Sequence, residues 1–241
     1  MLLNISLNHL LFIDIETVPV QPKFNQLTET WQQLWIEKAQ KICPDNVTIG
    51  EFYEQRAGVM AEFSKVVCIS TGYFILNDAK RKLVIKSYQS EDETVLLKQF
   101  INGLELIQSI HNQWVFAGHN IKEFDIPFIC RRLLANGISI PPILNFQSKK
   151  PWETTIIDTF QLWRFGDYKN YTSLALLAKV MGISSPKDDM DGSKVSMVFW
   201  EQRDYNRIKA YCERDVFAVA QIILRFMGMP ILTDELMAMD N

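Results

Sequence analysis

The sequence predicts a mixed α/β fold, in which a central β-sheet has helices on both faces. Three strand-like apolar segments come first, and helical and strand-like segments alternate after them. Short turns join antiparallel strands whereas helical crossovers join parallel ones, so this order favours a sheet with both kinds of neighbour. Since the chain has 241 residues and neither internal repeats nor low-complexity linkers, we expect one domain over residues 1–241.

The strands are predicted from short apolar runs that end at turn-forming residues. The first run, LLFI, continues to Pro19, where a residue without a backbone donor ends the ladder. Two further strands should form a hairpin with its turn at Asn77 and Asp78. The later segments of this kind are KVVCISTGYFIL, KLVIKSYQ, WVFAGHN and TTIIDTFQLW.

Between the first two strands, the segment from about 20 to 65 is predicted to be a mostly helical insertion. Trp31, Leu34 and Trp35 are spaced as on one face of an amphipathic helix. Packing over the sheet is the expected role of this face, and a stacking surface for unpaired bases is the alternative.

The remaining helices are predicted from apolar residues at helical spacing and from their end signals. Ser90 is the expected N-cap of the first, and Gly137 and Gly182 are expected to end the next two. The predicted helical segments are 90–110, 125–138, 172–183 and about 204–226, with a polar loop at 184–196.

Composition narrows the function classes. A net charge of −3 argues against a broad electrostatic contact with duplex nucleic acid, although a short substrate held through metal ions stays possible. The cysteines have no paired spacing and apolar neighbours, which favours buried free thiols in a reducing compartment; they are Cys43, Cys68, Cys130 and Cys212. With neither a secretory signal nor a stretch of membrane-spanning length, we expect a cytoplasmic protein without a membrane partner.

Two carboxylates, Asp14 and Glu16, follow the first apolar run one residue apart. Side chains alternate along a strand, so both should project from the same face. Two like charges at the end of a buried strand repel each other unless a cation lies between them. These residues alone leave two explanations open: an acidic strand face in water, or half of a cation site.

Further carboxylates occur where the predicted sheet meets its helices. Asp125 lies between a strand and a helix, so it is either an N-cap or a ligand at the strand ends. Tyr211 and Asp215 are four residues apart, on the helix face that also carries Ile208, and inward polar groups of this kind need partners.

Together, Asp14, Glu16, Asp125 and Asp215 supply oxygen ligands from separate elements, which suits Mg²⁺ or Mn²⁺. Four such groups can hold two ions for in-line attack at phosphorus. Asp158 is expected to be a hydrogen-bond acceptor at a strand end. The segment KDDMDG does not fit a calcium loop because Lys187 and Val198 stand where ligands belong.

The segments DIET, NIKEFD and YCERD resemble, in order and spacing, the three motifs of the DEDD 3′–5′ exonucleases. The tyrosine branch fits because Tyr211 precedes Asp215 by four residues, whereas the histidine branch would need His at Ala210. Within the group, the chain is similar to a stand-alone form of the proofreading exonuclease domain of family B DNA polymerases. The resemblance implies a ribonuclease-H-like fold.

By this resemblance, the four carboxylates are the metal ligands and Tyr211 orients or activates the attacking water. Thr17, Asn120 and Phe124 match positions that help to hold the terminal nucleotide.

The resemblance implies a metal-dependent enzyme that removes nucleoside 5′-monophosphates from the free 3′ end of a single strand. DNA is the expected substrate, and an exoribonuclease with the same site is the alternative, because the motifs do not report on the 2′-hydroxyl. A non-catalytic nucleic-acid-binding module is the rival from another class. Clustered carboxylates count against it, since they repel a polyanion. The segment between Pro19 and Lys65, longer than the motif pattern requires, leaves the substrate open.

Overall fold

The computed structural model describes residues 5–77, 80–111, 113–147, 149–150, 156–183, 190–232 and 237–239. Its strands are β1 (Leu10–Pro19), β2 (Ser64–Asn77), β3 (Lys80–Gln89), β4 (Val115–Gly118), β5 (Ile156–Asp158) and β6 (Met237–Met239). Its helices are α1 (Glu29–Ala39), α2 (Ile49–Arg56), α3 (Glu93–Ile110), α4 (Asp125–Ala135), α5 (Thr159–Arg164), α6 (Leu174–Val180), α7 (Val195–Met197) and α8 (Tyr205–Phe226).

Within the described residues, six strands form one mixed sheet in the order β5-β4-β1-β2-β3-β6. β1, β2 and β3 are antiparallel neighbours, whereas β4 and β5 run parallel to β1. The short final strand β6 runs parallel to β3. The predicted mixed sheet and the β2–β3 hairpin are therefore confirmed, although Asp78 of the predicted turn lies outside the described residues.

Helices cover both faces of this sheet, as predicted. On one face, Ile13 and Ile15 of β1 are buried in a core with α3 and α4. On the other face, Leu10 and Phe12 are buried against α8. The alternation of side chains along β1 thus sends its odd-numbered residues towards α3 and α4 and its even-numbered residues towards α8.

The segment between β1 and β2 has a small core of its own. Trp35 is fully buried among Phe52, Tyr53 and Phe63, and its indole Nε1 donates a hydrogen bond to the carbonyl of Ile49 at 3.0 Å. The prediction of one apolar face on α1 is wrong in part, because Trp31 and Leu34 are exposed. Only Trp35 reaches the core, while Trp31 touches the Phe63 ring edge-on.

Other local predictions need correction. The segment predicted as a single strand at 154–163 changes to helix after Asp158, whose carboxylate accepts the backbone N–H of Phe160 and begins α5. Asp92, and not Ser90, caps α3. The predicted polar loop also fails beyond Asp191, because Val195 and Val198 are buried in helical turns there. Residues 184–189, with the start of KDDMDG, lie outside the described part.

The long last helix forms as predicted, with Asp204 as its N-cap and Phe226 as its last residue. The expected buried thiols are confirmed for Cys68 and Cys212, but Cys43 and Cys130 are only half-buried. No helix within the described residues is long and apolar enough to cross a membrane.

Candidate active site

The candidate site lies at the carboxyl end of β1. The parallel pairing between β1 and β4 ends at Phe12 and Ala117, so the following residues of β1 have a free edge on that side. Asp14 and Glu16 project towards α8 from this part of the strand, opposite Ser70 and Cys68 of β2. A bulge directly after Glu16 interrupts the ladder with β2.

The start of α4 fills the free edge of β1. The carboxylate Oδ1 of Asp125 accepts a hydrogen bond from the backbone N–H of Ile15 at 3.1 Å. Asp125 is buried, so this bond satisfies a strand N–H that would otherwise have no ladder partner. The N-cap alternative for Asp125 is wrong, because Phe124 occupies the N-cap position and Asp125 is the first residue of the helix.

Helix α8 brings the second half of the site to β1. One face of α8 is buried against the sheet through Ile208, Cys212 and Val216. Tyr211 and Asp215 each lie next to one of these residues in the sequence. Tyr211 and Asp215 lie close enough on α8 for each side chain to shift the pKa of the other. This proximity agrees with the common helix face expected from their spacing.

The structure brings Asp14, Glu16, Asp125 and Asp215 close enough to perturb one another. Burial raises the pKa of Asp14 well above its usual range, and the Asp215 and Asp125 carboxylates raise it further. Burial also raises the pKa of Glu16, with Asp14 as the largest charged contributor.

The other two carboxyls show smaller shifts with the same first cause. Burial raises the pKa of Asp125 to about 8, although the N–H of Ile15 acts in the opposite direction. Burial raises the pKa of Asp215 to about 6, against the Tyr211 hydroxyl and the Arg214 charge, which lower it. Carboxyls held together against desolvation and like charge are typical of functional sites, and a cation would relieve both penalties.

One atom supports a cation directly. Asp14 keeps part of its surface in contact with solvent, yet its Oδ2 atom is buried and has no hydrogen-bond partner within the described part of the chain. Ligand atoms of Asp14, Glu16 and Cys212 lie within 4.8 Å of one another. Because buried polar atoms normally have partners, the free oxygen and the clustered carboxylates fit a divalent cation.

Sequence reasoning missed Cys212 at this place. Its thiol donates to the carbonyl of Asp14 at 3.4 Å, and burial raises the pKa of the thiol well above its usual range. A protonated thiol is a poor ligand for hard cations, so the oxygen atoms remain the fitting donors. Its position directly after Tyr211 on a helix that packs against β1 was the available signal.

Of the three residues expected near the terminal nucleotide, Thr17 directly follows Glu16 and Phe124 directly precedes Asp125. The hydroxyl of Thr17 donates to the carbonyl of Gly58 at 2.6 Å, which ties the end of β1 to the segment before β2. Asn120 has a left-handed backbone with φ of +64°, which Asn tolerates better than most residues. The ring of Phe124 is half-buried beside Phe128, with centroids 5.3 Å apart.

Asp158 has the structural role that its position at the end of β5 predicted. Its two oxygens accept the backbone N–H groups of Asn120 and Lys122 at 2.8 and 3.1 Å. It therefore fixes the turn between β4 and α4, which carries Asn120 and leads to Asp125. The Asp158 charge also contributes to the raised pKa of Asp125.

Comparison with known proteins agrees with this architecture. A family model described as a predicted 3′–5′ exonuclease related to the exonuclease domain of PolB matches residues 59–237. The chain belongs to this family. The part of the chain that the family model matches contains Asp125, Tyr211 and Asp215 and begins after Asp14 and Glu16.

Among solved structures, the PolB-like chain is similar to the family B DNA polymerase of the hyperthermophilic archaeon Pyrobaculum calidifontis. The TM-score is 0.54 at 14% sequence identity, over 90% of this chain and 24% of the polymerase. The chain thus spans about a quarter of that polymerase, and its fold is the ribonuclease-H-like fold of the polymerase exonuclease domain. None of the curated proteins compared with it matches.

Proposed function

We propose that this chain is a metal-dependent 3′–5′ exonuclease that releases nucleoside 5′-monophosphates from single-stranded DNA. The observation that carries the proposal is a set of carboxylates on β1, α4 and α8 whose charges raise the pKa values of Asp14 and Glu16. Among the described residues, Asp14 also has a buried oxygen without a hydrogen-bond partner. A binding module for a polyanion gains nothing from such a cluster, whereas a phosphodiesterase that uses cations needs it. Membership in the PolB-like exonuclease family supports the same reaction.

The proposed ligands are Asp14, Glu16, Asp125 and Asp215, whose oxygens suit Mg²⁺ or Mn²⁺. Two bound cations would favour ionisation of the attacking water and stabilise the charge that develops on the phosphate and the leaving oxygen. Water adds to phosphorus, and the bond to the 3′ oxygen of the preceding nucleotide breaks. The products are a nucleoside 5′-monophosphate and a strand with a new 3′-hydroxyl.

Tyr211 is proposed to orient the attacking water. Burial and the surrounding carboxylates raise the pKa of its hydroxyl far above the ordinary range, so the group stays protonated at neutral pH. A protonated hydroxyl is a poor general base but a good hydrogen-bonding group. Asp215, four residues further along α8, interacts with this hydroxyl.

The terminal nucleotide is proposed to lie against Thr17, Asn120 and Phe124. Phe124 has a half-buried aromatic ring that a base could contact, and the Asn120 amide offers both donor and acceptor groups. We also propose that the chain acts as one domain, in which the segment at about 20–65 is a helical insertion in the exonuclease fold.

The experiment is digestion of 5′-labelled single strands of DNA and RNA of one sequence, with Mg²⁺, Mn²⁺ or EDTA. We expect stepwise shortening from the 3′ end, release of 5′-monophosphates and dependence on the cation. A 3′-terminal phosphorothioate should slow the reaction, and a closed single-stranded circle should stay intact.

A matched pair of variants separates the site from general effects on the protein. Asp215→Asn should abolish digestion, whereas Asp45→Asn, at an exposed position outside the site, should not. Nicking of the circle would contradict the exonuclease proposal. Faster digestion of RNA than of DNA would assign the same chemistry to the alternative substrate.

A further inference from the structure

An exposed aromatic segment follows α5, and no role above accounts for it. We call residues 165–171 the aromatic loop. Phe165 is 83% exposed, Tyr168 75% and Tyr171 66%. Three large rings within seven residues are costly to leave in water, so such a surface indicates a binding role.

The aromatic loop is held at both ends by residues next to the candidate site. At its start, the Arg164 guanidinium lies 4.0 Å from the centre of the Phe160 ring and 5.5 Å from that of Tyr168. The same guanidinium is 3.9 Å from the carboxylate of Glu123. Glu123 is two residues before Asp125, so the loop begins beside the start of α4.

The far end of the aromatic loop is fixed through His119. The Nδ1 atom of this imidazole is 2.9 Å from the hydroxyl of Thr159, and its Nε2 atom is 2.9 Å from the carbonyl of Thr172. Burial lowers the pKa of His119, which favours a neutral ring that bridges the two groups. Since Asn120 is the next residue, this bridge attaches the loop to the other end of the turn at 119–125.

Packing between two aromatic rings places the end of the aromatic loop next to the sheet. The rings of Phe160 and Tyr171 are 5.0 Å apart, and Phe160 follows Asp158 by two residues. The carboxylates of Asp125 and Asp158 contribute to the raised pKa of Tyr171, after burial as the main cause. Tyr171 thus lies beside the residues that follow β5, while Tyr168 lies beside Arg164 and Phe165 lies 6.5 Å from the ring of Phe226.

We propose that the aromatic loop is a stacking platform for the unpaired bases that precede the scissile nucleotide of single-stranded DNA. The inference rests on the proposed function, because it takes the carboxylates as the place where the strand is cut. The phosphate backbone of the strand would pass Lys122, which is half-buried, and Lys169, which is exposed.

The chemistry of the platform explains why an unpaired strand fits better than a duplex. Base–aromatic stacking tolerates any base and contributes roughly 5- to 150-fold in affinity per base. Bases of a duplex already stack on one another and present only their edges. The overall charge of −3 makes stacking, and not a broad basic surface, the available source of affinity for the strand.

The test compares a 12-nucleotide single strand with the p-nitrophenyl ester of thymidine 5′-monophosphate, which fills the cleavage site only. We expect the double variant Phe165→Ala/Tyr168→Ala to lower kcat/KM for the strand, relative to that for the ester, by about 10-fold or more, through KM. Tyr168→Phe keeps the ring and should retain the parental ratio. Trp31→Ala, at a 42% exposed aromatic residue on α1, is the matched control and should also retain it.

A parental ratio in the double variant would overturn the proposal, and so would a loss of the ratio in Trp31→Ala alone. Fluorescence anisotropy of the labelled strand in EDTA keeps this test separate from the proposed reaction. If the parent cleaves neither substrate, the proposed function fails, and the platform still requires weaker strand binding in the double variant. Unchanged strand binding, or an equal loss of affinity for a blunt duplex, would refute the platform itself.

Discussion

The carboxylate of Asp125 accepts the backbone N–H of Ile15, and this bond joins two residues 110 positions apart in the sequence. It fixes the first turn of α4 to the free edge of the strand that carries Asp14 and Glu16. Asp125 therefore has a structural contact in addition to its proposed role as a ligand. Substitution can separate the two.

Asp125→Asn should abolish nuclease activity without unfolding the protein. Its amide oxygen can still accept the N–H of Ile15, and loss of a charge relieves repulsion within the cluster. Asp125→Ala should instead lower the free energy of unfolding by about 1–3 kcal/mol, because it leaves a buried N–H without a partner. Urea unfolding in EDTA measures the free energy of unfolding of both variants. Equal destabilisation by Asn and Ala would contradict the role of this hydrogen bond.

The stability of the metal-free protein should fall as pH rises from about 4 to 8. Folding raises the pKa of Asp125 from 3.8 to about 8 and that of Asp215 from 3.8 to about 6. The folded protein therefore binds more protons than the unfolded chain in this window, and the free energy of unfolding decreases with pH. Thermal unfolding in EDTA at pH 5.5 and 8.5 measures the slope.

Two controls assign that slope to the cluster. Asp125→Asn should flatten it, and Asp45→Asn should not. Saturating Mn²⁺ should raise Tm more at pH 8.5 than at pH 5.5, because cations bind the ionised carboxylates. A Tm in EDTA that rises from pH 5.5 to 8.5 in the parent would mean that the carboxylates are not perturbed as described.

Tyr211→Phe should separate water orientation from metal binding. The ring keeps its packing, and the lost hydroxyl is expected to reduce kcat by about 10²- to 10⁴-fold with little change in KM. The affinity of Tyr211→Phe for Mn²⁺ should stay close to that of the parent. Asp215→Asn should lose both Mn²⁺ binding and catalytic activity. Rate–pH profiles at saturating metal provide the measurement. A parental rate across the whole profile would make Tyr211 an ordinary packing residue.

Trp35→Ala should destabilise the protein without changing its affinity for single-stranded DNA. Trp35 is fully buried and donates to the carbonyl of Ile49, so the substitution should cost about 3–5 kcal/mol. Trp31→Ala, at an exposed ring, should cost less than about 1 kcal/mol. Chemical denaturation and KM for single strands test the pair. A raised KM in Trp31→Ala would instead support the base-stacking alternative for this helix.

Sequence patterns predicted the mixed sheet and the placement of site residues within one element, because both depend on local periodicity. Alternation places Asp14 and Glu16 on one face of β1, and a spacing of four places Tyr211 beside Asp215 on α8. The contact between Asp125 and Ile15 was not predictable in this way. It depends on β4 pairing with β1 only as far as Phe12, which is a property of the assembled sheet.

The wrong predictions have similar physical causes. Trp31 and Trp35 share a helical spacing, but only the Trp35 ring is buried in the small core of the segment that joins β1 and β2. The predicted loop at 184–196 is polar in composition, yet its end forms helical turns that bury Val195 beside Ile208 of α8. Cys212 lies at the carboxylates because α8 packs against β1, a contact that neither strand nor helix periodicity encodes.

The most direct test of the central claim is parallel titration of Mn²⁺ binding and of mononucleotide release, in the parent and in Asp14→Asn. Asp14 supplies a buried oxygen that has no hydrogen-bond partner among the residues that the structure describes, so its loss should remove ion binding and DNA cleavage together. Asp45→Asn should retain both at parental levels. Parental cleavage of single-stranded DNA by Asp14→Asn would contradict the assignment of this carboxylate cluster as the catalytic metal site.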